Sequence, residues 1–204
     1  MTLYRLGFDI DEVITTTSDV LVDHAMKEYG VIFNKQNYGN YEKFVGDAYI
    51  PGDPEKSKEI GLKLIEDVNN PYIQNEGIPI KDCPKILRRL KMLGHKIFFV
   101  SARPIGTEEH TKKWLDWYGI QFDGLYHLGR NIPKGVVCDE LELDLFVEDE
   151  YTNLIKIFET RNHYKKGLIL MNKIWNEEID TSKYPFIRLN DWTEIEHHIT
   201  TYME

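Results

Sequence analysis

The chain has 204 residues, 42% hydrophobic and 12% aromatic, which is enough for one full core or a core plus a small second domain and too apolar for a disordered chain. Its 34 acidic and 25 basic residues leave a formal net charge of −9, which disfavours duplex nucleic acid over most of the surface but not a small phosphate ligand held by a local cation. The two cysteines, Cys83 and Cys138, are too few for a disulfide scaffold and fit no zinc spacing; with no apolar leader and no run near the roughly 20 residues of a membrane span, a soluble, cytoplasmic chain is expected.

Short apolar runs alternate with helical patterns along the chain. The first predicted strand is "LYRLGFD" (3–9), which ends in Asp9 and, two residues on, Asp11. "SDVLVDHAMKEYG" (18–30) and "PEKSKEIGLKLIEDV" (54–68) read as helices, and the piece between them is rich in Tyr, Asn and Gly. The interval 17–77 carries no convincing buried strand, so it is expected to form a mostly helical cap inserted after the first strand. "KDCPKILRRLKMLG" (81–94) places Ile86, Leu87, Leu90 and Leu93 on one helical face, with Gly94 as a stop. "KIFFVSA" (96–102) is a β-prone run ending in Ser101. "GTEEHTKKWLDWYG" (106–119) has Thr107 as an N-cap candidate and Gly119 as a stop. "GLYHLG" (124–129) is a weaker strand signal, and "NIPKGVV" opens a helical segment carrying Lys134. "LDLFVED" (143–149) is an apolar run ending in Glu148 and Asp149. "EYTNLIKIFETR" (150–161) is helical again, and "GLILMN" (167–172) is a fifth apolar run. This alternation predicts an α/β fold: a Rossmann-like parallel sheet with helices on both faces, formed by 1–16 and 78–204, with 17–77 as the cap.

In an open parallel sheet, ligands bind beyond the carboxyl ends of the strands. Asp9, Asp11, Ser101, Arg103, Glu148 and Asp149 all fall there. Four acids at one edge repel one another unless a cation joins them. Mg²⁺ suits the set, because it prefers oxygen ligands and combines one or two carboxylates with a substrate phosphate. A carboxylate beside such an ion can attack phosphorus to give an aspartyl-phosphate, while a second acid serves as general acid and base. Ser101 and Lys134 could hold the phosphoryl oxygens. No GxxxxGK[ST] sequence occurs, which argues against a P-loop NTPase. Phe33, Tyr38, Tyr41, Phe44 and Tyr49 in the cap interval read as a small helical core or as a stacking surface for a base.

These motifs resemble those of the haloacid dehalogenase-like (HAD) phosphohydrolases. "LGFDIDEV", "IFFVSAR", Lys134 and "LFVED" match the four motifs of that superfamily in order, over 9–149. The resemblance implies Asp9 as nucleophile, Asp11 as general acid and base, and Ser101 and Lys134 as phosphate binders; Ala102 and Arg103, beside Ser101 in the same loop, are expected to bind substrate, with pairing to an acid of the cap as the alternative for Arg103. It also implies Mg²⁺ held by Asp9, Asp149 and the main-chain carbonyl of Asp11, with Glu148 as a direct ligand or close behind. Within the superfamily the chain is most similar to the 5′(3′)-deoxyribonucleotidase-like group, which shares the cap position and an Arg-Pro after the second motif. Glu12 stands where that pattern usually has Gly, and Glu148 where Asp is frequent. The expected partner is a small phosphorylated metabolite, a nucleoside monophosphate foremost, with a sugar phosphate as the alternative and a non-catalytic binding module as a third reading. No nucleic-acid polymer or membrane is expected, and a homodimer is left open.

Overall fold

A computed structural model describes residues 2–31, 53–160 and 167–202. Six strands form one sheet: β1 (Arg5–Phe8), β2 (Lys96–Ser101), β3 (Gly124–His127), β4 (Leu145–Glu148), β5 (Leu168–Met171) and β6 (Ile187–Leu189). Every pairing is parallel, in the order β3-β2-β1-β4-β5-β6. The helices are α1 (Thr17–Tyr29), α2 (Pro54–Val68), α3 (Pro71–Gln74), α4 (Cys83–Met92), α5 (Glu108–Trp117), α6 (Lys134–Glu140), α7 (Tyr151–Thr160) and α8 (Trp192–Tyr202). The predicted α/β class is the one that forms. Strand β6 and helix α8 extend it beyond the sequence reading.

The strands carry apolar residues at successive positions because both faces are covered. Leu6, Phe8, Ile97, Phe99, Leu145 and Val147 pack with Leu87 and Leu90 of α4, Leu115 of α5 and Trp192 of α8. The alternate residues Phe98, Val100, Phe146, Leu168 and Leu170 pack with Leu154 and Ile157 of α7. A period of two sends neighbouring side chains to opposite faces, so one strand serves two cores. Gly7 is small for a steric reason: a Cβ there would lie 2.5 Å from Leu143 and 2.6 Å from Phe146.

Gly94 and Gly119 follow the last residues of α4 and α5 with φ of 93° and 65°, the left-handed geometry that ends a helix. Thr107 precedes α5 but makes no side-chain cap bond. Its hydroxyl donates to the Pro104 carbonyl at 2.7 Å and lies 2.9 Å from His127 Nδ1. The predicted cap thus becomes a link between a loop and the end of β3.

Helices α1, α2 and α3 share a third apolar cluster, which includes Leu21, Ala25, Ile60, Leu64 and Ile73. The chain passes between this cluster and the sheet at two places, and the two crossings bond to each other. Thr16 N–H donates to the Ile78 carbonyl at 3.0 Å, and Ile80 N–H donates to the Ile14 carbonyl at 2.8 Å. Two buried indoles anchor them: Trp114 Nε1 donates to Gly77 at 2.7 Å, and Trp192 Nε1 to Val13 at 2.9 Å. The aromatic residues Phe33, Tyr38, Tyr41, Phe44 and Tyr49 lie outside the described residues.

Candidate active site

Because all six strands are parallel, their carboxyl ends share one edge of the sheet. Asp9 follows β1, Ser101 and Glu148 are the last residues of β2 and β4, and Asp149 comes next. Asp9, Asp11, Ser101, Ala102, Lys134, Glu148 and Asp149 line one cavity of about 150 Å³. The sequence predicts each of them there. Glu150 and Asn153 complete the wall.

Lys134 enters from the start of α6 and lies between two carboxylates, 2.9 Å from Asp9 Oδ2 and 2.6 Å from Glu148 Oε2. Burial disfavours the charge on Lys134, but Asp9 and Glu148 outweigh that and raise its pKa, so it remains a cation. Burial, and then the charge of Glu148, push Asp9 up to about 7, with Lys134 pulling the other way. Burial, with Glu148 and Asp9 behind it, pushes Asp149 well above the ordinary carboxylate range. Ligand oxygens of Asp9, Glu148 and Asp149 lie within 4.8 Å of one another, and Asp9 Oδ1 is buried without a partner among the described residues. All the donors are hard oxygens, and a dication would relieve the mutual repulsion that raises two of these acids. The set fits Mg²⁺.

The Asp11 carboxylate is paired differently. Arg103 Nε and Nη2 donate to its two carboxylate oxygens at 3.0 and 2.8 Å, and Thr17 Oγ1 donates at 2.5 Å. Burial raises its pKa, but the Arg103 charge and these bonds more than offset that, leaving it below the usual value. Arg103 is itself buried and also donates to Thr111 Oγ1 at 2.8 Å. The predicted substrate-binding arginine therefore holds a predicted catalytic acid. Ser101 Oγ accepts the Arg103 backbone N–H at 3.2 Å, and its own rotatable O–H remains a donor.

Glu12 adopts φ of 61°, a left-handed conformation that costs a non-glycine residue roughly 1–2 kcal/mol. That is the physical reason for the usual glycine. Here the carboxylate has a use: Oε1 accepts the Ser18 N–H at 2.5 Å, capping α1, whose N-cap residue Thr16 makes no such bond. Oε2 lies 3.5 Å from Lys173 Nζ.

Several supporting residues have no counterpart in the sequence reading. Trp175 Nε1 donates to Asp149 Oδ2 at 3.1 Å, and Asn176 Nδ2 donates to the Asp149 carbonyl at 2.7 Å. Both lie in the irregular turn after β5, where no periodicity marks them. Thr17 sits in "ITTTS", which carries no catalytic signature by itself.

No family model matches the chain. Two curated relatives that carry the provisional name of nucleotidase are each 26% identical: one from Oceanobacillus iheyensis, covering 93% of this chain and 96% of its own length, and one from Bacillus subtilis, covering 94% and 91%. Among solved structures, a "predicted phosphatase" from Clostridium acetobutylicum superposes with a TM-score of 0.63 at 15% identity over 98% of this chain and 99% of that one. A haloacid dehalogenase-like family hydrolase from Streptococcus pneumoniae gives 0.59 at 13% identity over 99% of each chain. YfnB of Bacillus subtilis, solved bound to magnesium, gives 0.62 at 11% identity over 98% and 100%. The chain has the haloacid dehalogenase-like fold, and its four site segments resemble the motifs of the phosphohydrolases that share it. In sequence it is similar to proteins named as nucleotidases along nearly its whole length.

Proposed function

We propose that the chain is a phosphoric monoester hydrolase that uses Mg²⁺ and an aspartyl-phosphate intermediate, with a nucleoside monophosphate as substrate. One observation carries this reading: four segments far apart in sequence bring Asp9, Ser101, Lys134, Glu148 and Asp149 to a single cavity of about 150 Å³, the size for a phosphoryl group and its surroundings. The nucleotidase names of the relatives favour that substrate class.

Asp9, Glu148, Asp149 and the Asp11 carbonyl would hold the ion, which would offset charge on the phosphoryl oxygens and on the acids around it. Lys134 and the Ser101 hydroxyl would hold phosphoryl oxygens as charge develops there. Asp9 would attack phosphorus as a carboxylate, the form that burial and Glu148 disfavour and Lys134 favours. Asp11 would protonate the departing alcohol oxygen and then accept a proton from the water that attacks the aspartyl-phosphate. The Arg103 pair keeps Asp11 ionised, which suits the second step. For the first step Asp11 would have to carry a proton taken up from solvent as the Arg103 pair loosens, and it would regain one from the attacking water in the second, so Arg103 acts as the residue that positions Asp11.

Phosphate release from a panel of nucleotides, with Mg²⁺ present, tests the reading. Asp9→Asn is expected to lower turnover by about 10³-fold or more, since the nucleophile itself is removed. Equal turnover by the two proteins would refute the mechanism.

A further inference from the structure

A second cavity, of about 130 Å³, adjoins the first and shares Asp11 and Ala102 with it. Its remaining wall includes Thr17, Val68, Asn69, Gln74, Arg103 and Arg130, so it lies between the catalytic edge and helices α1 to α3. Together the two cavities approach the lower bound of small-molecule sites, about 300 Å³. A phosphoryl group in the first would direct its leaving group into the second, past Asp11.

Gln74, the last residue of α3, is 4% exposed. Its Nε2 donates to the Val68 carbonyl at 2.7 Å, which fixes the amide orientation, because the reverse would face one carbonyl oxygen with another. The side-chain oxygen Oε1 is buried and has no partner among the described residues. A buried acceptor left unpaired is costly. Its persistence beside a cavity makes sense if a ligand completes the bond.

We infer that Gln74 is a specificity-determining residue: its Oε1 accepts a hydrogen bond from an N–H or O–H donor on the leaving group. This rests on the phosphatase reading above and extends it to the part of the ester that is not phosphate. Two sources offer that donor, the N–H of a nucleobase and the hydroxyl of a sugar. A site with a buried acceptor rejects an analogue that lacks the donor far more strongly than an apolar site rejects a small change in size.

The experiment compares kcat/KM for an ester and for the same ester with its donor blocked by methylation. One arm uses a nucleoside monophosphate and its N-methylated base analogue. The other uses a sugar phosphate and its O-methyl derivative. Wild type is expected to prefer the unblocked ester by about tenfold or more in one arm, and that arm identifies the source. Gln74→Leu is expected to bring the ratio to within about twofold of unity. A merely structural role would lower both esters alike and leave the ratio intact, which would overturn the inference. So would the absence of any preference in wild type. If Gln74→Leu does not fold, Gln74→Met keeps the length without the acceptor. Calorimetric binding of the dephosphorylated product and its methylated analogue to Asp9→Asn then reads the same ratio without turnover. No hydrolysis of any ester above the Asp9→Asn background would defeat the phosphatase reading and the inference with it, whereas a preference that survives in the Gln74 variants defeats the inference alone.

Discussion

Asp149 is fixed from two sides, by the Trp175 indole on its carboxylate and by the Asn176 amide on its main-chain carbonyl. A carboxylate held in this way presents its other oxygen in a set direction, and loss of such a support to a metal ligand typically weakens metal affinity by about 10–100-fold. Trp175→Phe keeps the ring and removes only the donor. Mg²⁺ titration followed by thermal unfolding is expected to show affinity about tenfold weaker than wild type, while the metal-free melting temperature changes little. Equal affinity in the two proteins would mean that the indole does not orient Asp149. Nothing in "NKIWNEE" announced this role, because a hydrogen bond across 26 positions leaves no local pattern. The same holds for the Arg103–Asp11 pair, whose partners lie 92 positions apart. Residue type and strand-end placement make both visible as site candidates, and only the fold shows that they face each other. Glu12 differs again: its unusual identity was plain in the sequence, but its left-handed backbone and its cap on α1 were not.

The elements that sequence read well are those with strong, long-range burial. "KIFFVS" and "LFVE" are covered on both faces and admit little but a central strand. Strand β6 is three residues long, half-buried and interrupted by Arg188, so its apolar signal is too short to stand out. Helix α8 buries Trp192, Ile195 and Ile199 amid polar neighbours, a stripe easily passed over near a chain end. Asp123, just before β3, joins elements that the sequence shows only separately. It accepts from Ile97 N–H at 2.8 Å, Lys91 Nζ at 2.5 Å and Lys96 Nζ at 3.1 Å. Burial alone would raise its pKa, but the Lys91 hydrogen bond and the other donors pull it below the ordinary value of 3.8. A lowered folded-state value means that the unfolded chain binds the proton more readily, so this stabilisation is present above 3.8 and disappears as pH falls through the folded value. Asp123→Asn is expected to cost up to about 1 kcal/mol at pH 7, with the gap from wild type closing as pH falls below 3.8. Urea unfolding across that range measures it, and a gap independent of pH would contradict the ionic origin.

At the scale of the molecule, the sheet order puts β1 in the interior with β2 and β4 on either side, so motifs from distant segments meet at one edge. The interval 17–77, read as a cap, leaves the sheet and returns through the bonded crossings at 14–16 and 78–80. If it closes over a bound phosphate, those crossings would bear the movement. Hydrogen exchange at the Thr16 and Ile80 amides is expected to slow when Mg²⁺ and beryllofluoride, a phosphoryl mimic, are added together. Unchanged exchange would favour a cap held in one position. No helix among the described residues is long and apolar enough to cross a membrane. The paired crossings also bear on how such a chain diversifies. With its two ends bonded to each other, the segment is closed at its base, and lengthening a loop adds only about 0.6 kcal/mol of closure entropy per doubling. Insertions and replacements there can accumulate through descent, or be made by design, while the acidic edge of the sheet keeps its geometry. On the proposed function, substrate preference and catalytic competence would be inherited on separate pieces of one gene.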